Sequence, residues 1–290
     1  MRTELFLVLF LLLAVCAGGA QAYRLAYKDP ADTTRWYRSE MTINGSMNVQ
    51  PMNVTIPING SIKFLSTEKV VSVNDDGTST IAMQLSDGSM TMAMPGAEEP
   101  MNMPFPAMTM TYHRAPSGKM TGMKIESQPG AAFAIPGMEE QMKMFSGSGQ
   151  GIEFPAGDLK VGDTWQTAQA FEFMPGQKAE MKITNTFMGP QMVDGATYLL
   201  INTQMQLDIP ALKMTIPMGE QTITMEQSMS FVGKVATLFD EKAGEINRAL
   251  INAGFDVKVT APMPDGQTMV TTGTITLSGS MKKVPAPEEK

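Results

Sequence analysis

Soft-metal chemistry is the first chemistry that the residue types allow. Between Met90 and His113 the sequence MTMAMPGAEEPMNMPFPAMTMTYH places seven methionines ahead of the only histidine of the chain. Thioether sulfur selects Cu(I) and Ag(I), and an imidazole completes such a ligand set. Met101 and Met103, in the proline-broken part of the stretch, together with His113, are the metal-ligating candidates. Met90, Met92 and Met94 do not converge by themselves, because at about 3.3 Å rise per residue the outer two Cα atoms of a strand lie about 13 Å apart. The competing reading of the same stretch is an apolar surface on which Met92, Met94, Met108 and Met110 line a site for a hydrophobic or lipid-like ligand. Thioethers are unbranched and polarizable, and they make adaptable surfaces. Residues 23–290 carry 28 methionines and only 11 leucines, so methionine acts here first as a general apolar residue.

Enzyme chemistry finds few of the groups it requires. With one imidazole, any serine triad or histidine metal site has to use His113. The sequence has no His-Glu-x-x-His, no Gly-x-Ser-x-Gly elbow and no phosphate loop ending in Gly-Lys-Ser/Thr. Its single cysteine, Cys16, lies in the leader described below, so residues 23–290 offer no thiolate, disulfide or cysteine nucleophile. The carboxylates Glu98-Glu99, Glu139-Glu140 and Asp240-Glu241 fall in connecting segments. Asn74 to Thr78, NDDGT, lacks the spaced oxygen ligands and closing glutamate of a calcium loop and reads as a hairpin turn. The expectation is a protein without catalytic residues and without a cofactor.

The first 22 residues read as an export signal. Met1-Arg2-Thr3-Glu4 leads into an apolar stretch from Leu5 to Ala17, and Ala20-Gln21-Ala22 forms an A-x-A cleavage site. The stretch is shorter than the roughly 20 residues a bilayer span takes, so no transmembrane segment remains after cleavage. A lipid anchor at Cys16 is disfavoured because Val15, not a small residue, precedes it. The expected location is therefore periplasmic or extracellular, with outer-membrane association through the anchor as the lesser alternative. A net charge of −7, spread along the chain, favours solubility and argues against nucleic acid as a partner. An envelope protein is the alternative partner to a small hydrophobic molecule.

These residues must be positioned by strands. Leu199, Ile201, Thr203, Met205, Leu207 and Ile209 share one parity, and Asn202, Gln204, Gln206 and Asp208 share the other. Period-two alternation marks a strand with one buried face. The pattern recurs at Ile223, Met225, Met229 and Phe231, at Phe255, Val257 and Val259, and at Ile275, Leu277 and Met281. Asp76-Gly77, Asp87-Gly88, Asp194-Gly195 and Asp265-Gly266 read as hairpin turns, as do Asn44-Gly45 and Asn59-Gly60. One short helix is expected, over Met138 to Phe145. The fold class is mainly β, with long antiparallel strands in two similar lobes arranged as barrels, half-barrels or sandwiches.

The two-lobe expectation comes from internal similarity. Residues 73–85 resemble 192–207, residues 110–125 resemble 236–251, and Trp36 and Trp165 each precede a long strand. The domain division is thus a signal peptide at 1–22, an N-terminal β lobe at 23–127, a Gly/Pro-rich connector at 128–157 and a C-terminal β lobe at 158–290. A ligand is expected at the cleft between lobes.

Lys160-Val161-Gly162-Asp163-Thr164-Trp165, preceded by Phe154-Pro155, resembles the central Val-Gly-Asp-(Ser/Thr)-Trp block of a group of exported bacterial β-rich proteins and lipoproteins. The resemblance implies export and a β-rich architecture. It implies no catalytic residues, since the group has no assigned activity. Gly162-Asp163 itself reads as a turn, with Trp165 starting a strand.

Overall fold

The computed structural model describes residues 21–93, 99–105, 107–127, 151–174, 177–218, 221–263 and 267–287. Twelve strands account for most of them: β1 (Thr34–Gln50), β2 (Val54–Val73), β3 (Ser79–Ala93), β4 (Met101–Phe105), β5 (Met108–Arg114), β6 (Met120–Ser127), β7 (Thr164–Met174), β8 (Gln177–Val193), β9 (Ala196–Met218), β10 (Gln221–Asp240), β11 (Glu245–Pro262) and β12 (Thr268–Val284). They form one antiparallel sheet in the order β6-β5-β3-β2-β1-β12-β11-β10-β9-β8-β7, with β4 and β5 pairing successive stretches of β3. The mainly β expectation holds, with strands as long as the alternation required. The expected helix over Met138 to Phe145 lies outside the described residues.

Two lobes with a cleft between them are not what the halves build. β1 pairs β12 from Trp36↔Val284 to Gln50↔Val270, so residues 23–127 and 158–290 contribute successive parts of one continuous sheet. Sequence similarity between the halves nonetheless has a structural counterpart. Residues 73–85 and 192–207 form the β2–β3 and β8–β9 hairpins, residues 110–125 and 236–251 form the β5–β6 and β10–β11 hairpins, and the strands of each half follow one another in the same direction across the sheet.

Of the expected turns, Asp76-Gly77 and Asp194-Gly195 close hairpins, with Gly77 and Gly195 at φ of 80°. Asp265-Gly266 lies outside the described residues. Asp87-Gly88 is a correction: it sits inside β3 beside a register shift, where β3 changes partner from β5 to β4, and acts as a bulge. Asn44-Gly45 and Asn59-Gly60 are also corrected. They lie mid-strand, with Asn44 facing Asn59, and no reversal occurs. Gly60 is required by space: a Cβ there would lie 2.6 Å from the Thr91 carbonyl oxygen.

The sheet curls strongly, and two adjacent residues show how far. Tyr27 N–H donates to the Pro116 carbonyl at 2.8 Å, and Lys28 N–H donates to the Gly244 carbonyl at 3.0 Å. Pro116 belongs to the β5–β6 hairpin and Gly244 to the β10–β11 hairpin, which lie well apart in the strand order. Segment 151–159 ties the same region. Phe154 N–H donates to the Ser117 carbonyl, and Leu159 and Tyr23 exchange backbone hydrogen bonds. The inner face at this end is thereby covered: Tyr23, Leu25 and Tyr27 pack with Ile152, Phe154 and Leu159 against Phe187, Ile201, Phe239 and Ile246. The residue 151–157 part of the expected connector is consequently core packing.

Candidate functional site

Two regions of the inner face differ in chemistry. At the covered end, charged residues occupy inner-face positions where apolar ones would be expected. Asp29 Oδ1 accepts hydrogen bonds from Arg35 Nη1 and Arg114 Nη2, both at 2.8 Å, and its Oδ2 accepts from Arg114 Nε at 3.0 Å. Arg35 Nε donates to Glu245 Oε2 at 2.6 Å, and Lys283 bonds the other oxygen of Glu245. Tyr112 donates its hydroxyl proton to Glu68 Oε1 at 2.7 Å, and the Arg114 guanidinium pairs with Glu68 and stacks 4.7 Å from the Tyr27 ring centre. Both arginines are 2% exposed. Three cations and three carboxylates balance, as burial of charge demands.

The electrostatics follow from that crowding. Burial works to raise the Asp29 carboxyl, but the hydrogen bond and charge of Arg114, then of Arg35, outweigh it and hold the group below the usual carboxylate range. Burial pushes the Tyr27 phenol up to about 12, against the opposing charge of Arg114. Tyr112 is driven well above its ordinary value by burial and then by the Glu68 charge. The cavity beside the network, lined by Tyr37, Glu68, Arg114 and Met281, measures about 20 Å³. That admits one water and nothing larger, so the network is a clamp holding the 23–29 segment to β1, β2, β5, β11 and β12.

Beyond the clamp the inner face changes to methionine, isoleucine, valine and glycine, and it is only half-buried. Met41, Ile43 and Met47 of β1, Ile56, Ile58 and Ile62 of β2, Met90 and Met92 of β3, Val257 and Val259 of β11, and Ile275 and Leu277 of β12 all belong to it. Several of the methionines answer a glycine on the neighbouring strand: Met41 faces Gly279, Met47 faces Gly273, Met92 faces Gly60 and Met205 faces Gly233. In each pair a methionine side-chain carbon lies 2.7–3.5 Å from where a glycine Cβ would stand. An unbranched side chain therefore fills the hollow that each glycine leaves on a tightly curved wall.

The structure separates the candidates read from sequence. Met92 stands on this half-buried face, and Met94 lies outside the described residues. Met108 and Met110 are 4% and 3% exposed in a closed cluster with Ile81, Met83, Leu85 and Tyr112, so they are packing residues rather than an open lining. Met101 and Met103 of β4 pair directly with Met92 and Met90 of β3. His113 does not join them. It is exposed on the outer face, Nδ1 lying 3.1 Å from Thr80 Oγ1, and is ten residues from Met103, or about 30 Å at the rise of a strand. The Met101, Met103 and His113 set is thus not one coordination sphere, because strand pairing replaces the expected irregular loop.

A second cavity was not foreseen. It measures about 260 Å³ and lies where the two ends of the strand order meet: Lys119 and Met120 at the start of β6, Thr167 to Ala170 of β7, and Gly151 to Glu153 between them. Its inner wall is Ile183, Asn185, Thr203, Met205, Val235, Thr237, Ile246 and Ala249. Thr203 donates its hydroxyl proton to Asn185 Oδ1 at 2.7 Å. Asn185 falls on the buried parity of β8, which was the sequence signal for it. Asp163 is the turn-former its block implied: its carboxylate accepts from the Lys160 N–H at 2.8 Å, with Gly162 at φ of 94°. Trp165 begins β7 and donates from Nε1 to the Glu153 carbonyl.

No family model matches the chain, and no curated protein matches it.

Proposed function

We propose that this is an exported, non-enzymatic protein of the bacterial cell envelope that binds a hydrophobic or lipid-like molecule on the inner face of its curled sheet. The observation that carries the reading is the half-buried apolar wall running beyond the covered end across β1, β2, β3, β11 and β12. Apolar area left open to water costs about 25 cal/mol per Å², so a broad face of this kind is stabilised by an apolar occupant. Its methionines favour an occupant of variable shape. Export is supported by the sequence of residues 1–22, an apolar stretch followed by Ala20-Gln21-Ala22.

The reading is tested on protein purified from a bacterial envelope fraction. Lipid extracted from the native protein and identified by mass spectrometry is the expected result, with saturable uptake of a fluorescent acyl probe after delipidation. No co-purifying lipid together with no probe uptake would overturn it and leave a structural role in the envelope, with a protein partner, as the reading.

A second reading rests on the β3–β4 register. Met90 with Met103 and Met92 with Met101 form two facing pairs, placing four thioethers on one patch where a Cu(I) or Ag(I) ion finds a soft ligand set. A Cu(I) competition titration decides it: stoichiometric binding that disappears when Met101 and Met103 become alanine supports the site, and its absence in the parent protein removes it.

A further inference from the structure

We infer that the cavity between β6 and β7 takes the uncharged polar head of a single-chain amphiphile, the chain running from there onto the methionine wall. The inference rests on the binding reading above and names the ligand class.

Size sets the first limit. A cavity of about 260 Å³ lies below the roughly 300–1,000 Å³ of sites that enclose a whole ligand, so it holds a head group and its first carbons. The rest of the molecule needs a continuation, and the wall supplies one. Ile183 and Val235 of the lining are half-buried and pack in one cluster with half-buried Met229 and Phe255, which leads along β10 and β11 toward Val257 and Val259 of the wall.

Charge sets the second limit. The polar groups on the inner wall are Asn185, Thr203 and Thr237, at 1%, 8% and 3% exposure, joined by Thr167 and Gln169 of β7. All are neutral. The two ionisable residues of the lining, Lys119 on the hairpin and Glu153 on the crossing segment, have opposite signs and add no net charge to it. The buried arginines are already matched by Asp29, Glu68 and Glu245. A carboxylate or phosphate at the inner wall would be desolvated against neutral partners, and the one cation of the lining, Lys119, is solvent-exposed and opposed by Glu153. A hydroxyl, ester or amide meets amide and hydroxyl partners of its own kind. Because Asn185 Oδ1 accepts from Thr203, the amide is oriented with its NH₂ as the donor end.

The test uses the full delipidated protein loaded with Nile red, titrated at pH 8 with 1-palmitoylglycerol, palmitate and palmitoyl lysophosphatidic acid. The glycerol ester is expected to displace the dye at a concentration about tenfold lower than either anion, a difference of about 1.4 kcal/mol. Thr203→Val removes a wall hydroxyl and the donor that orients the Asn185 amide, and is expected to weaken the glycerol ester about tenfold relative to palmitate in the same displacement assay. Thr167→Arg, on the β7 edge, adds a cation without touching the inner wall and is expected to shift the preference toward palmitate. Equal or tighter binding of either anion to the parent protein overturns the inference, as does a Thr167→Arg protein with unchanged preference. Dye binding with no displacement by the glycerol ester also overturns it while the binding reading stands. Failure of the dye itself to bind removes both.

Discussion

The same strands pass through two regions with opposite characters. At one end of β1, β2, β10, β11 and β12 the inner face is closed by residues 23–29 and 151–159 and contains aromatic rings and a balanced set of buried charges. Toward the other end the face carries methionine, isoleucine, valine and glycine and is only half-buried. Alternation is equally regular in both, so periodicity determines which side of a strand faces inward and says nothing about what covers that side. Cover comes from segments distant in sequence. Charge is tolerated only where those segments supply the matching partner: Arg35 is sound because Asp29 and Glu245 reach it.

The largest effect that would test this contrast is Arg35→Met. It leaves Asp29 and Glu245 short of a partner in the interior and is expected to cost about 3–5 kcal/mol in urea denaturation. A loss no greater than that of a methionine swap on the open wall would erase the distinction between the two ends.

Alkaline pH probes the same clamp without mutation. The Tyr27 phenol has a folded value of about 12 against 10 in the unfolded chain, so its contribution is fully present below pH 10 and is lost as the pH rises through 12. Two pKa units correspond to about 2–3 kcal/mol, and Tyr27→Phe should flatten that part of the stability profile. Acid acts in the other direction through Asp29. Its folded value lies below that of the unfolded carboxyl, so stability is present above about pH 4 and falls as the pH drops toward the folded value. Denaturant midpoints measured across pH check both limbs.

On the open wall, Gly279→Ala is expected to cost about 1–3 kcal/mol, because the new Cβ would stand 2.5 Å from the Glu40 carbonyl oxygen and 2.7 Å from Met41 Cγ. Met41→Leu is the smallest change, below about 1.5 kcal/mol by thermal denaturation, since the volume is kept. It is expected to reduce acyl-probe uptake if the wall's adaptability matters to binding.

Much of the fold was legible because it is local. The parity of Leu199 to Ile209 and the turns at Asp76-Gly77 and Asp194-Gly195 depend only on neighbours in sequence. Asn44-Gly45 misled because Asn-Gly has two physical uses, turning the chain and admitting a neighbouring backbone, and only the curvature of the sheet tells them apart. The clamp was partly readable: Arg35, Glu68 and Arg114 all fall on buried parity, which flags an unusual interior. Their partners were not, since Glu245 is reached only once β11 and β12 are placed beside β1. Nor was the cavity, because it is made by strands at the two extremes of the sheet. Met101 and Met103 were read as loop residues since prolines flank them, yet β4 pairs despite Pro104.

The pairing of β1 with β12 has a consequence for how the chain reaches this state. The middle of the sheet joins the first long strand to the last, so the contact that unites the two halves closes a loop of nearly the whole described chain, from Trp36 to Val284. Such contacts make folding slow, because loop-closure entropy must be overcome before they contribute. During synthesis β1 has no partner on its β12 side until Thr268–Val284 has been made, and the half-sheet formed first presents an open edge all that time. A ribosome-bound chain lacking those last residues is the species in which that edge is available to other strands.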